Sequence, residues 1–306
     1  MEQKFKRSRI MIETPVFRFH KFSTGSGTPV FVVPPHAGRH GNISQRIIDT
    51  CVNMHKSVYT YELKSATKHT NSTSIDDLVC ILQQCCQYIG QPVDMVCLCQ
   101  GAWLGAIYTA LFPETITRYF NFAGPINTKT GEDNIIEKYC NQALINTHKL
   151  IVNANYGLQP GNMQWLAFAM VRPDYIFISR WGNLWSHIMT GDKEAIEKWK
   201  RNNDWYDSPV DLAGTWFLEC LENHFMKNRL YNSTWNVLGE KVNLKNIACP
   251  VYLYAGGADE ITHHKQVFDM GKKVSSTEIY YTFFPDAGHT KVFTGKKELK
   301  CFAEEF

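Results

Sequence analysis

Residues 92–105 read PVDMVCLCQGAWLG, an apolar, partly β-branched run that stops at Cys99 and resumes at once as a glycine-, alanine- and leucine-rich segment. A short apolar run bounded by proline predicts a buried strand over 92–99, and GAWLGAIYTALFPE predicts the helix that follows. A strand that turns this sharply into a helix exposes the residue at the turn, and the backbone fits only if the positions two residues away on each side are small. Around Cys99 those positions hold Cys97 and Gly101, with Cys97 standing where glycine is usual. The N–H of the next residue, Gln100, would then point at a carbonyl oxygen under attack, and the helix N-terminus would favour a thiolate. Taken alone, Cys99 competes with the commoner fate of a buried structural cysteine, because the chain has ten. No serine sits in a G-x-S-x-G setting, and the glycine-flanked Ser26 precedes the first core strand.

Working outward, strand and helix signals alternate. TPVFVVPPHAG, 28–38, predicts a buried strand stopped by Pro-Pro, and SVYTYEL, 57–63, a second strand. SIDDLVCILQQCCQYIG opens on a good N-cap, Ser74, with an acidic first turn, and ends on Gly90, which predicts a helix. RYFNFAGPI, 118–126, predicts the next strand. The pattern returns near the C-terminus with CPVYLYAGGADEIT, 249–262, a helix around 264–274, the strand and loop EIYYTFFPDAGH, 278–289, and a final helix in GKKELKCFAEEF. This alternation predicts a parallel sheet covered on both faces.

Residues 141–245 differ, with helical patterning and seven of the eight tryptophans: 165, 181, 185, 199, 205, 216 and 235. They predict a mainly helical cap lobe inserted into a core formed by 1–140 and 246–306. Most of these tryptophans read as the lobe's own core. Trp103, Trp165, Trp181 and Trp185 are the candidates for contact with a hydrophobic substrate.

Two residues turn Cys99 into a candidate nucleophile. Asp259 follows the strand VYLYAGGA, and His289 sits in DAGH after the last strand. Nucleophile, acid, histidine is the chain order of the α/β-hydrolase fold. A cysteine needs the histidine to hold a thiolate near neutral pH, and the histidine needs a carboxylate to fix its tautomer. Glu260 and Asp286 are rival acids. The second oxyanion donor is expected from a backbone N–H of His36 or Ala37 in PPHAGRHG, beside that of Gln100. His36 and His40 read as loop residues with no proton-transfer role.

Composition narrows the function classes. A formal net charge of +3 in 306 residues gives no basic stripe for nucleic acid. No apolar stretch reaches the ~20 residues of a membrane span. The opening MEQKFKRSRIMIETPVFRF lacks a secretory apolar run, and its Lys4, Lys6, Arg7 and Arg9 read as a solvated tail. The ten cysteines show no C-x-x-C pair and no metal spacing, which suits a reducing cytoplasm and no bound metal.

The chain resembles the intracellular poly(3-hydroxybutyrate) depolymerases, cysteine-type α/β-hydrolases related to polyhydroxyalkanoate synthases. The resemblance spans about residues 28–300 and rests on VCLCQG, PINTKT, GLQPGNMQWLAFAMVRPDY, WSHIMTGD, WYDSPVDLAGTWFLECLENHFMKNRL, GEKVNLKNIACP and GHTKVFTGKK. It implies an α/β-hydrolase fold with a helical cap, Cys99 as nucleophile, Asp259 as acid, His289 as base, and no cofactor. The implied substrate is polyhydroxyalkanoate, as granule surface or soluble oligomers, with a homo-oligomer compatible. A synthase-like acyltransferase and a non-catalytic granule-associated protein are the alternatives. Two departures stand out: about 27 residues precede the first predicted strand, and Gly101 replaces the proline common in the depolymerases.

Overall fold

The computed structural model describes residues 8–36, 41–132, 138, 140–163, 166, 169, 173–207 and 209–306. Its centre is an eight-stranded sheet in the order β1-β2-β4-β3-β5-β6-β11-β12. The strands are β1 (Arg9–Glu13), β2 (Phe17–Ser23), β3 (Val30–Val33), β4 (Val58–Leu63), β5 (Val93–Leu98), β6 (Ile116–Phe122), β11 (Val251–Gly256) and β12 (Ile279–Phe284). From β4 to β12 every pairing is parallel, whereas β1 and β2 run antiparallel at one edge.

The apolar runs explain this arrangement. β3 and β5 are buried along their whole length, as strands covered on both faces must be. Their alternate residues feed two separate cores. Phe31, Val33, Met95, Cys97 and Tyr119 meet the helices α2 (Ile75–Ile89) and α3 (Gln100–Leu111) on one face. Val30, Val32, Val96, Leu98, Phe120 and Phe122 meet α1 (Gly41–Asn53) and the C-terminal helix Lys296–Glu304 on the other. The predicted capping of α2 is present. Ser74 and Asp77 form a reciprocal capping box, and Gly90 takes the left-handed φ of 76° that closes the helix.

The structure corrects the reading of the N-terminus. Arg9 is exposed but belongs to no tail: it is the first residue of β1, which pairs with β2, and β2 pairs along β4 from Phe17↔Leu63 to Ser23↔Val58, while Lys4, Lys6 and Arg7 lie outside the described residues. Two strands therefore precede the one expected to be first.

Within 141–245 the helices Gln142–Ala154, Arg180–Met189 and Lys193–Asp207 match the helical patterning. The region also holds two short antiparallel pairs that the sequence did not signal: β7 (Leu158–Gln159) with β8 (Leu212–Ala213), and β9 (Asn236–Val237) with β10 (Glu240–Lys241). The helix Gly214–Glu219 continues as a π-helical turn, Cys220–Met226. From Leu212 onward this segment is packed into the main core, where Trp216 and Trp235 are buried with α2 and α3. Among the described residues, no helix is long and apolar enough to cross a membrane.

Candidate active site

The turn after β5 has the geometry that the sequence demands of it. Cys99 adopts φ 49°, ψ −121°, a left-handed conformation unusual for a residue with a side chain. Strain of this kind is held by surrounding contacts. The Cys99 N–H donates to the Phe122 carbonyl at 2.9 Å, and its carbonyl accepts from Ala102 N–H at 3.0 Å. A Cβ on Gly101 would lie 2.5 Å from both the Val33 and Pro34 carbonyl oxygens, so no side chain fits at 101 and the end of β3 lies against the turn. Cys97, which replaces the usual glycine, is accommodated from across the interface: a Cβ on Gly105 would stand 2.4 Å from Cys97 Sγ. The glycine has in effect moved from strand to helix.

A second turn, after β6, lies against the first. Ala123 has φ 54°, and Asn121 makes two hydrogen bonds to the backbone of Gly124, at 2.8 and 3.0 Å. A Cβ on Gly124 would fall 2.1 Å from Ala102 Cβ and 2.6 Å from Cys99 O. Asn121, a wholly buried polar residue in an apolar strand, was not singled out in the sequence. Its only signal there is that incongruity.

His289 Nδ1 is 2.9 Å from Asp259 Oδ2, and the Asp259 side chain is wholly buried. Asp259 Oδ1 accepts from the N–H groups of Ile261 and Thr262, each at 2.8 Å, so both carboxylate oxygens have fixed partners. Of the rival acids, Asp286 and Glu260 are exposed, and it is Asp259 that meets the histidine. Burial opposes a charged His289 ring. The Asp259 carboxylate and the Cys99 sulfur outweigh it and hold the His289 pKa well above the ordinary histidine value. His289 Nε2 is buried and makes no closed hydrogen bond. Burial pushes the pKa of each of the other nine cysteines up.

Gln100 opens α3, so its N–H has no acceptor within the helix. His36 lies at the end of β3, but its ring turns into the core. It hydrogen-bonds the Tyr61 hydroxyl and packs on Trp103 and Trp216. Only its backbone faces the question of the oxyanion. Ala37, like His40 and Trp165, lies outside the described residues. Trp103 is corrected outright: it is 0% exposed and stacks on Trp235, so it is core rather than a cleft wall. Trp181 and Trp185 are 46% and 64% exposed. Among the described residues there is no group of three or more His, Cys, Asp or Glu placed to hold a metal ion.

A buried polar network, not foreseen in the sequence, fastens the chain after β6 to two other segments. Asn127 Nδ2 donates to Asp269 Oδ2 at 2.7 Å, and Ile126 and Asn127 N–H donate to Gln266 O, tying this segment to the one that follows the acid. Asn228 Nδ2 donates to Asn127 Oδ1 at 2.8 Å, Thr128 N–H to Asn228 Oδ1 at 3.0 Å, and Thr128 Oγ1 to His224 O at 3.0 Å.

Known proteins similar to this chain agree with the fold. A family described as "PHB de-polymerase C-terminus" matches residues 124–303, more than half of the chain. The poly(3-hydroxyalkanoate) polymerase subunit PhaC of Allochromatium vinosum is 23% identical over 252 residues, which cover 80% of this chain and 68% of that protein. The PhaC of Haloferax mediterranei is 21% identical over 222 residues, 70% of this chain but only 44% of that protein. Among solved structures, a monoacylglycerol lipase from Paleococcus ferrophilus superposes with a TM-score of 0.64 at 13% identity, covering 94% of this chain and 97% of that one. The Bacillus megaterium epoxide hydrolase superposes with a TM-score of 0.60 at 15% identity, covering 96% and 98%. The fold is therefore that of the α/β-hydrolases, and the chain belongs to the PHB de-polymerase C-terminus family.

Proposed function

We propose that this chain is an esterase that hydrolyses poly(3-hydroxyalkanoate) esters through an acyl-enzyme on Cys99. The observation that carries the reading is the His289–Asp259 pair, with a buried carboxylate on Nδ1 and the Cys99 sulfur within interaction reach of the ring. In this reading the Cys99 thiolate attacks the ester carbonyl. The oxyanion is held by Gln100 N–H and by a backbone N–H of the turn after β3, from His36 or Ala37. Collapse of the adduct breaks the C–O bond, and the His289 imidazolium gives its proton to the leaving hydroxyl. The neutral imidazole then takes a proton from water, whose oxygen attacks the thioester, and Cys99 leaves as thiolate while the acid is released. The substrate class comes from the family. Trp181 and Trp185, with Phe177, Ile178 and Met189, are exposed apolar side chains suited to a hydrophobic polyester surface.

Product analysis on amorphous poly(3-hydroxybutyrate) granules and on soluble hydroxybutyrate oligomers tests the proposal. Wild type should release hydroxy acid, and Cys99→Ala should release none while keeping its fold. Wild-type turnover by Cys99→Ala would sink it.

The curated polymerase relatives favour a second reading, in which the acyl group passes from a thioester to a growing polymer alcohol. Incubation with a hydroxyacyl-coenzyme A separates the two: polymer supports the synthase reading, and free acid supports hydrolysis.

A further inference from the structure

Helix α3 carries Trp103 in its first turn, just beyond Cys99, and the fold buries it completely. The indole Nε1 can only donate, yet it is buried with no acceptor among the described protein groups. The ring of His224 lies 5.2 Å away, centroid to centroid, tilted by 34°. His224 belongs to the π-helical turn Cys220–Met226, a rare element that recurs at functional sites. It too is wholly buried, and its Nε2 is 3.0 Å from the Pro125 carbonyl oxygen. A carbonyl only accepts, so the hydrogen sits on Nε2 and Nδ1 of the neutral ring is an acceptor. That acceptor is also buried and unpartnered. Burial favours the neutral ring, pushing its pKa down to about 3. A lone donor and a lone acceptor therefore sit on neighbouring rings, with Trp235 packed against both at 6.1 and 6.3 Å. Buried groups left unmade are costly, and one water between them would satisfy both.

We propose that a single buried water bridges Trp103 Nε1 to His224 Nδ1, and that His224 is a positioning residue for the Cys99 turn. One of its nitrogens reaches α3 through the water, and the other grips Pro125. Pro125 follows Gly124, which leaves no space between itself, Ala102 and the Cys99 carbonyl. A displacement of that second turn is therefore transmitted to Cys99. The proposal rests on the reading of Cys99 as nucleophile, but it adds a residue from the π-helical turn to the apparatus that aims it.

The test combines nitrogen NMR with alkylation kinetics on the full chain. In wild type, His224 should be the Nε2–H tautomer and should not titrate through the neutral range, and the Trp103 indole N–H should cross-relax with a bound water. An Nδ1–H tautomer, or no such water, overturns the proposal. His224→Phe removes both contacts and should slow iodoacetamide alkylation of Cys99 about tenfold, since small misplacements of reacting groups carry costs of that order or larger. His224→Gln, which still offers a donor to Pro125, should recover most of the rate. Trp103→Phe should abolish the water signal and leave the tautomer unchanged. Alkylation of a folded His224→Phe at the wild-type rate overturns the positioning role. If that variant fails to fold, a His224→Gln variant as slow as a Cys99 left without its histidine, tested in His289→Ala, overturns it as well. If Cys99 is not the nucleophile, wild type itself will show no selective labelling of Cys99, a failure of the catalytic reading distinct from these.

Discussion

Replacing Asp259 by asparagine perturbs the proposed chemistry at a single proton. Asp259 Oδ1 accepts from Ile261 and Thr262 N–H at 2.8 Å, and Oδ2 accepts from His289 Nδ1 at 2.9 Å. An asparagine there must keep its carbonyl oxygen on the two backbone donors, because its amide NH2 cannot accept from them. The NH2 group then faces His289 Nδ1, and the neutral ring answers by placing its hydrogen on Nε2. That nitrogen can no longer take a proton from Cys99, the second ring nitrogen is occupied, and the carboxylate that raised the ring's pKa is gone. In enzymes with this arrangement a wrong tautomer lowers kcat by about 10⁴, or roughly 5 kcal/mol of transition-state stabilisation. The backbone bonds of the acid loop survive, so the fold should too. The assay is kcat for release of hydroxy acid from soluble hydroxybutyrate oligomers, alongside circular dichroism and a urea midpoint. A folded Asp259→Asn enzyme that keeps more than about a tenth of wild-type kcat would show that the pair does not set the tautomer.

Other expectations follow from the packing and titration described above. Gly105→Ala drives a methyl to 2.4 Å from Cys97 Sγ and should cost about 1–3 kcal/mol. In a urea double-mutant cycle Cys97→Ala should recover most of that cost, and strict additivity would show that the two positions do not exchange space. A neutral, buried His224 with a pKa of about 3 against 6.5 when unfolded means that the unfolded chain alone gains a proton as pH falls through that window. Stability should therefore drop by up to about 1.4 kcal/mol per pH unit from this group, and His224→Gln should flatten the slope of urea stability against pH. His289 acts in the other window. With its folded pKa raised, its contribution is complete below the unfolded value and lost only as pH rises through the raised one. In the folded chain a limiting thiol probe should label Cys99 well ahead of the nine cysteines whose pKa burial pushes up, and uniform labelling would leave the fold without an activated thiol.

Much of the architecture was legible because parallel strands announce themselves. VFVV and VDMVCL are apolar on both faces, and the turn chemistry of Ser74, Gly90 and the Cys99–Gly101 turn is local. The β1–β2 hairpin is hard to read because charges interrupt it: in FRFHKFS the buried Phe17 and Phe19 flank a half-buried Arg18, and His20 is buried as well, so the alternation breaks after three residues. The order of Cys99, Asp259 and His289 could be read along the chain, but their approach to one another could not, since 160 positions separate Cys99 from Asp259. Trp103 was misread for a similar reason. A tryptophan beside a candidate nucleophile suggests a cleft wall, but whether its ring meets substrate or Trp235 depends on a segment more than a hundred residues away. Asn121, Asn127 and Asn228 left almost no trace, because a buried amide shows its purpose only when its partners are in place.

The network through Asn127, Thr128, Asn228 and Asp269 bears on any attempt to re-engineer this chain. Exchanging residues 141–245 as a cassette is one direct way to try to alter what the chain accepts. Here a cassette that ends at the lobe's sequence limits would sever amides whose partners lie on the far side of the splice, leaving buried polar atoms stranded. A workable chimera must take residues 124–131 and the helix after the acid loop from the same parent as the 220–228 segment. Lobe and acid loop have in this sense to be taken together, and shuffling libraries that separate them should yield clones of lowered stability.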